Sequence, residues 1–363
     1  MLKLIRTKPG LTKGGKPFDY VVKDKVAKGE YRLEFIPAEI VGTARPIEVY
    51  RSKRAKDNIL KPWPSNPDDD SYCPAHWADL AIGRGACGFR CRVCFLNATH
   101  RCFCDPSRHV LYENLDDYEE VVREDLQQPG RNIGLGIDCS DSLLYEGRTG
   151  HARRLIPIFA DANTNPFRRK LILLTKSAIV GHLEGLPIAN ILVTFSLNPK
   201  PIADLWEGKW NDGLRITPYI KDRLTAAART QEMGYEVRWR VDPVFPVDNW
   251  ANIYREFFFS AAKQGHRPTR ITLGTYREMK MGLLTFAANW GLPPIEWIPE
   301  EMVKDGTHYH IPTAQRVKIY LQLASFIKSA WQKTRSIPIV ALCKETRKVR
   351  AAVGINHNHC NCE

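Results

Sequence analysis

Beyond about residue 130 of this 363-residue chain, short β-rich runs alternate with helical patterns, and no other feature limits the possible folds as strongly. "NIGLGID" (132–138) reads as a strand and "LILLT" (171–175) as a buried one; "ILVTFS" (191–196), "EVRWRVD" (236–242) and "RITLG" (270–274) continue the series. Between them, "TPYIKDRLTAAARTQEMG" opens on a Thr-Pro start signal, places Ile220, Leu224 and Ala227 on one face, and stops at Gly234. "DNWANIYREFFFSAAKQG" stops similarly at Gly265, and an amphipathic helix over 311–331 leads into the strand-like "IPIVALC". Such alternation implies a parallel sheet covered by helices, either an open doubly wound sheet or a barrel; periodicity does not separate the two.

The polar residues of interest fall repeatedly at strand C-terminal ends: Asp138, Cys139, Ser140 and Asp141, then Thr175 and Lys176, Ser196 and Asn198, Asp242, and Thr275 and Tyr276. In parallel α/β architectures that edge is where sites are built. Five strands in succession with polar ends predict a site there.

Ten cysteines are present, and five lie in "GACGFRCRVCFLNATHRCFC" (85–104). The opening "MLKLIRTKPG" has no apolar core of a signal peptide, and no stretch approaches the roughly 18 apolar residues of a membrane span. The expectation is a soluble, cytoplasmic protein, in which clustered thiols indicate metal rather than disulfides. Cys87, Cys91 and Cys94 are spaced C-x3-C-x2-C. Three closely spaced thiolates can hold three irons of a [4Fe–4S] cluster and leave the fourth open for another molecule. A structural zinc site would show two C-x2-C pairs, which are absent here. Cys102 and Cys104, with His357, His359, Cys360 and Cys362 in the tail "HNHCNCE", have the chemistry of a second zinc or cluster site if the tail folds over the mouth of the sheet. The bland alternative is two loop thiols and a loose tail. Cys343 falls in an apparent strand and reads as core, and Cys73 has no assigned place.

The formal net charge is +13, and residues 1–61 carry 15 Lys/Arg against 7 Asp/Glu, or +8 of it. A basic leading segment fits a polyanionic partner, nucleic acid first, or else a merely solubilising surface. "KPWPSNPDDD" (61–70) is a plausible break after it.

C-x3-C-x2-C ahead of a β/α series resembles the radical S-adenosylmethionine superfamily, and the particulars resemble its spore photoproduct lyase branch. "GACGFRCRVCFL", "HVLYENLDDYEEVV", "LLTKSAIV", "VTFSLNP", "RLTAAARTQEMGYEVRWRVDPVFP", "ITLGTYRE" and "HYHIPTAQRVKIYLQLASFIKSAW" match in order, over about residues 80–346. The resemblance implies a partial (β/α)6-type, TIM-like barrel over 80–300 with its cluster loop at 85–96. A basic region (1–79) would precede it, and a C-terminal helix/strand extension (301–363) would follow. It implies a [4Fe–4S] cluster on Cys87, Cys91 and Cys94, and S-adenosylmethionine bound by Lys176, Ser196 and Asp141. It also implies an electron donor such as a flavodoxin or ferredoxin, and a monomer. Reductive cleavage of S-adenosylmethionine would give a 5′-deoxyadenosyl radical that abstracts hydrogen from a thymine-derived group in DNA. Cys139 would return a hydrogen atom, although the pattern around it differs by one residue from the branch.

One departure concerns the radical relay. Tyrosines flank the last cluster cysteine in that branch, and Val93 and Phe95 stand here, neither with an O–H to give. S-adenosylmethionine is then either regenerated by another route or consumed, and the reaction is either photoproduct repair or remodelling of a modified thymine. Trp239, Tyr276 and Tyr309 are candidates to stack on an extruded base, packing being the alternative. Two other readings stay open: the same chemistry on a peptide or small molecule, and a non-catalytic metal-containing nucleic-acid-binding protein.

Overall fold

The expected strands all form, with ends shifted by a few residues at most. The computed structural model describes residues 24–62, 77–84, 87–94, 96, 109–209, 212–279, 302–305, 308–334, 336–356 and 359–363. Cys73, Phe95, Cys102, Cys104 and His357 lie outside the described residues.

Three sheets are present among the described residues. A small one joins β1 (Arg32–Ile36), β2 (Ile47–Ser52), β6 (His109–Tyr112) and β5 (Gly83–Arg84), in that order. The main sheet contains β3 (Leu60–Pro62), β4 (Trp77–Leu80), β7 (Asn132–Leu135), β8 (Leu171–Thr175), β9 (Ile191–Ser196), β10 (Glu236–Val244), β11 (Arg270–Thr275) and β15 (Ile339–Leu342). The third joins β12 (Arg277–Met279), β14 (His308–His310) and β13 (Val303–Asp305).

In the main sheet the order is β15-β11-β10-β9-β8-β7-β4-β3. The seven strands from β4 to β15 pair in parallel, and only β3 runs antiparallel, at the edge beside β4. Each parallel strand neighbours the next in sequence, with no reversal of order. A doubly wound sheet would reverse direction partway across, so this resolves one ambiguity of the sequence pattern. The described strands at the two ends, β15 and β3, do not pair with each other.

Parallel strands under helical cover are buried on both faces, so they read as continuous apolar runs. All six residues of β9 are buried. Val193 and Phe195 of β9, and Val237, Trp239 and Val241 of β10, enter the large core beneath the helices. Trp239 meets Trp331 of the helix Thr313–Trp331 edge-on, with ring centroids 5.9 Å apart. Trp239 is therefore core packing rather than a stacking surface for a base. The opposite, inner face carries Leu192, Thr194 and Ser196, with Arg238, Arg240 and Asp242, by the period-2 alternation of strands.

Residues 32–62 contribute strands to both larger sheets. β5 and β6 are the strands on either side of the cysteine-rich loop, and β2 pairs in parallel with β6. The leading segment thus helps hold the loop in place. No helix among the described residues is long and apolar enough to cross a membrane.

Candidate active site

The strand C-terminal ends converge on one cavity of about 190 Å3. Asp138, Ser140 and Asp141 follow β7; Lys176 follows β8; Ser196 and Asn198 come from β9. Arg240 and Asp242 belong to β10, and Tyr276 and Arg277 follow β11. Cys87, Cys91 and Cys94 close the cavity from the loop side.

That loop is seated by backbone contacts. The Arg92 N–H donates to the Trp206 carbonyl at 3.0 Å. Gly208 lies so close that a Cβ there would stand 1.6 Å from the Phe89 carbonyl oxygen, which only glycine permits. Arg90 turns the chain between the first two cysteines in the left-handed region, at φ 51°.

Burial raises the pKa of all three thiols, that of Cys94 to about 11. Against that, each sulfur receives one backbone N–H: Phe89 to Cys87, Gly208 to Cys91, and Leu96 to Cys94. The Lys176 ammonium adds a favourable charge beside Cys91 and Cys94. A cation beside the sulfurs suits thiolate ligands, whereas backbone N–H groups alone do not single them out, since Cys139 also receives those of Gly83 and Ile82. Among the described residues, no three His, Cys, Asp or Glu side chains converge on a point that one metal ion could occupy. A mononuclear centre needs that convergence. A cube does not, because each cysteine takes a different iron.

Lys176 is positioned by Asp141. The Asp141 carboxylate accepts from the Thr175 hydroxyl at 2.7 Å, the Lys176 N–H at 2.6 Å, and the N–H groups of Leu143 and Leu144 at 3.1 and 3.0 Å. It is thereby occupied in tying the β7 loop to the end of β8. From that anchor the Lys176 ammonium donates to the Ser196 hydroxyl at 2.8 Å. Burial opposes charge on Lys176, but Cys91 and Glu207 outweigh it and raise its pKa, so the ammonium persists. The Ser140 hydroxyl, buried on the cavity wall, has no hydrogen-bond partner among the described residues.

Sequence reasoning missed Glu207 and Arg223. Arg223 lies on the buried face of the helix Ile220–Glu232 and is fully enclosed. It donates to Glu207 Oε1 at 2.8 Å, to Glu207 Oε2, and to the Ser196 carbonyl at 3.1 Å. Burial would raise the Glu207 carboxyl, yet Arg223, Lys176 and Arg215 hold it below its ordinary value. An arginine interrupting an apolar helix face was the available signal. Trp206, Phe245 and Tyr276 also line the cavity as a stack, with centroids 4.9 and 5.3 Å apart. Of the three aromatics expected near a base, only Tyr276 lies on this wall.

Two sets of expected residues lie away from the cavity lining in the described structure. Cys139 is buried but does not line the cavity; its thiol donates to the Gly136 carbonyl at 3.7 Å, within the core under the helices. The two residues on either side of it in sequence, Asp138 and Ser140, face the cavity instead, because the turn after β7 points alternate side chains oppositely. The described tail residues, 359–363, do not cover the mouth. Their backbone binds low on the inner face: the Cys362 carbonyl accepts from Asn132 at 3.0 Å, the Asn361 carbonyl from Arg238 at 2.7 Å, and the Cys360 carbonyl from Arg270. Cys360 and Cys362 are buried with Trp77, Ile137, Ile172 and Leu192, an apolar setting with no described metal partners. Cys343, expected in the core, is only partly buried and accepts from Arg240 at 3.2 Å.

The parallel sheet with its inner-face cavity and cysteine loop is a fold shared with solved enzymes. Within it the chain is similar to spore photoproduct lyase. The solved complex of spore photoproduct lyase with dinucleoside spore photoproduct shares 18% identity and covers 81% of each chain, with a TM-score of 0.60. A variant of that enzyme with bound AdoMet and dinucleoside spore photoproduct shares 18%, covering 81% of this chain and 80% of the other, with a TM-score of 0.61. The curated spore photoproduct lyase of Clostridium acetobutylicum is 26% identical over 196 residues, 53% of this chain and 54% of that protein. The chain thus aligns with about half the length of that curated relative. No family model matches.

Proposed function

We propose that this chain is a radical S-adenosylmethionine enzyme acting on a thymine-derived group in DNA, built on an open, partial β/α barrel. The observation that carries the reading is one cavity with three N–H-supported thiols on one side and the Lys176–Ser196 pair beside them. When bound, the [4Fe–4S] cluster and S-adenosylmethionine supply a 5′-deoxyadenosyl radical able to take hydrogen from an unactivated C–H bond.

The chain's own residues do the rest. Cys87, Cys91 and Cys94 hold the cluster. Lys176 pairs with the carboxylate of S-adenosylmethionine and Ser196 hydrogen-bonds the cofactor, while Asp141 fixes the lysine. The Trp206–Phe245–Tyr276 stack gives a planar group an apolar wall and keeps water from the reacting atoms. The electron donor is a small redox protein of the flavodoxin or ferredoxin kind.

Remodelling of a modified thymine is favoured over photoproduct repair by Val93, which lines the cavity with no O–H to relay hydrogen. Cations in the described leading segment give limited support to DNA contact, because several are already paired: Arg32 and Arg51 with Glu113, and Lys56 with Glu120.

The test is anaerobic reconstitution to about four irons per chain, followed by reductant, S-adenosylmethionine and either thymine-dimer, modified or ordinary DNA. 5′-Deoxyadenosine should accumulate, and one DNA should change. Loaded protein that never forms 5′-deoxyadenosine sinks the catalytic reading. Nucleoside product from a peptide or small molecule alone would move the substrate assignment there.

A further inference from the structure

On its β10–β11 side, the cavity holds a group of charges that the proposed cofactor contacts leave unused. Arg240 donates to Asp242 Oδ2 through Nε at 3.0 Å and Nη2 at 2.7 Å. Arg277 grips the same carboxylate with both terminal nitrogens, at 3.0 and 2.9 Å. Lys344 completes this wall from the segment after β15. Arg240 and Arg277 thus share Asp242, and Lys344 interacts with Asp138, while Cys343 serves as a sulfur acceptor for Arg240.

The group is built into the backbone. A Cβ on Gly274 would stand 2.6 Å from Asp242 Oδ1 and 2.9 Å from Arg277 Nη1, so the ion pair lies directly over the β11 main chain. Lys344 adopts the left-handed region at φ 47°, which a side chain rarely tolerates without surroundings that enforce it. Both arginines are mostly enclosed, at 16% and 15% side-chain exposure, and the carboxylate is at 4%.

A structural ion pair needs one cation per carboxylate. Here two arginines share one buried acid, and their charge is felt by Lys344. Burial first, then Arg277 and Arg240, push the Lys344 ammonium below its ordinary pKa. An anion placed on this wall would relieve that repulsion and meet oriented guanidinium donors.

We infer that the Arg240–Arg277–Lys344 wall binds a phosphate oxyanion of the substrate, with Asp242 holding the two guanidinium groups in place. The inference rests on the nucleic-acid reading above and names the part of the substrate that this end of the cavity takes. Arg240 lies beside Ser196 across the β9–β10 pair, so the anion would sit on the Ser196 side of the cavity.

The test uses the reconstituted protein with S-adenosylmethionine bound. Binding of the thymidine dinucleotide is compared with that of its methylphosphonate counterpart, which keeps the shape and loses the charge. The charged dinucleotide should bind at least about tenfold more tightly, about 1.4 kcal/mol. Lys344→Gln and Arg277→Gln should each reduce that preference, and Lys344→Arg should keep it. Lys344 is the safer variant, because Arg277 also holds Asp242. Equal affinity of the two dinucleotides for the wild type overturns the phosphate site and leaves the nucleic-acid reading standing. A preference that survives both Gln variants also overturns it. If neither dinucleotide binds while 5′-deoxyadenosine still forms, the nucleic-acid reading falls and the phosphate site falls with it.

Discussion

Cys91 and Cys139 are both buried thiols with backbone N–H groups at the sulfur and a carboxylate nearby, and the charge that weighs most on each is opposite in sign. Cys91 has the Lys176 ammonium and the Gly208 N–H beside it. Cys139 has the carboxyls of Asp79 and Asp138 nearby, and burial with Asp79 pushes its pKa well up. The tail cysteines make a third setting, apolar and closely packed. Burial therefore says little about what a cysteine does. The sign of the charge beside it, and the side of the sheet it faces, say much more.

The largest effect should come from removing the favoured thiol. Cys91→Ala is expected to lose the cluster, with iron content well below four per chain and no 5′-deoxyadenosine. Cys360→Ala should retain full iron and cost about 1 kcal/mol in denaturant unfolding. If Cys360→Ala lost iron as completely as Cys91→Ala, the distinction between ligand and packing thiols would fail.

Next in size is the seating of the loop. Gly208→Ala puts a methyl where the Phe89 carbonyl lies, and 1.6 Å leaves no room for it. The loop must move off the end of the helix Lys200–Trp206, carrying the N–H away from Cys91. A loss of about 3 kcal/mol in stability is expected, with iron retention falling in parallel. Unchanged iron and stability in this variant would mean that the loop is not docked as described.

Much of this site was legible in the sequence, and the reason is spacing. Cys87, Cys91, Cys94, Lys176 and Ser196 each occupy a loop or strand end whose position follows from the alternation of strands and helices. Which way a side chain turns within a tight loop does not follow. Asp138, Cys139 and Ser140 are consecutive, and only the backbone path after β7 decides that the middle one faces the core. Arg223 and Glu207 were missed for another reason: a charged pair 16 residues apart becomes buried only when the helix packs on the strand end. The strand order was beyond the sequence as well, since periodicity is the same whether or not the order reverses.

A smaller effect, and a pH-dependent one, sharpens the contrast on the Cys139 side. Burial, then Asp138, raises the Asp79 carboxyl to about 8. The folded state then holds a proton that the unfolded state releases near pH 4. Stability should fall as pH rises from about 4 to 8, on the order of a few kcal/mol. Asp79→Asn mimics the protonated acid and can still accept the Asp138 N–H, made at 3.2 Å in the wild type. Urea unfolding of the variant should show a flatter pH profile and a gain over wild type at pH 8, with little difference at pH 4. An Asn variant that is less stable at pH 8 would show that the carboxylate is charged and useful there.

The smallest expected change is also the most discriminating for mechanism. The resemblance gives Cys139 the return of a hydrogen atom, which requires its sulfur to reach the substrate. The geometry gives it a core position, with the Gly136 carbonyl as acceptor. Cys139→Ala separates these with two readouts. If the geometry governs, the variant loses about 1 kcal/mol of stability and forms 5′-deoxyadenosine and DNA product in the wild-type ratio. If the thiol swings into the cavity during turnover, cleavage continues while product falls away or its identity changes. The second outcome would require the turn after β7 to rearrange, and with it Asp141, whose four hydrogen bonds hold the chain at Lys176 in place. S-adenosylmethionine affinity measured with and without DNA would then differ, because the same movement would loosen the lysine.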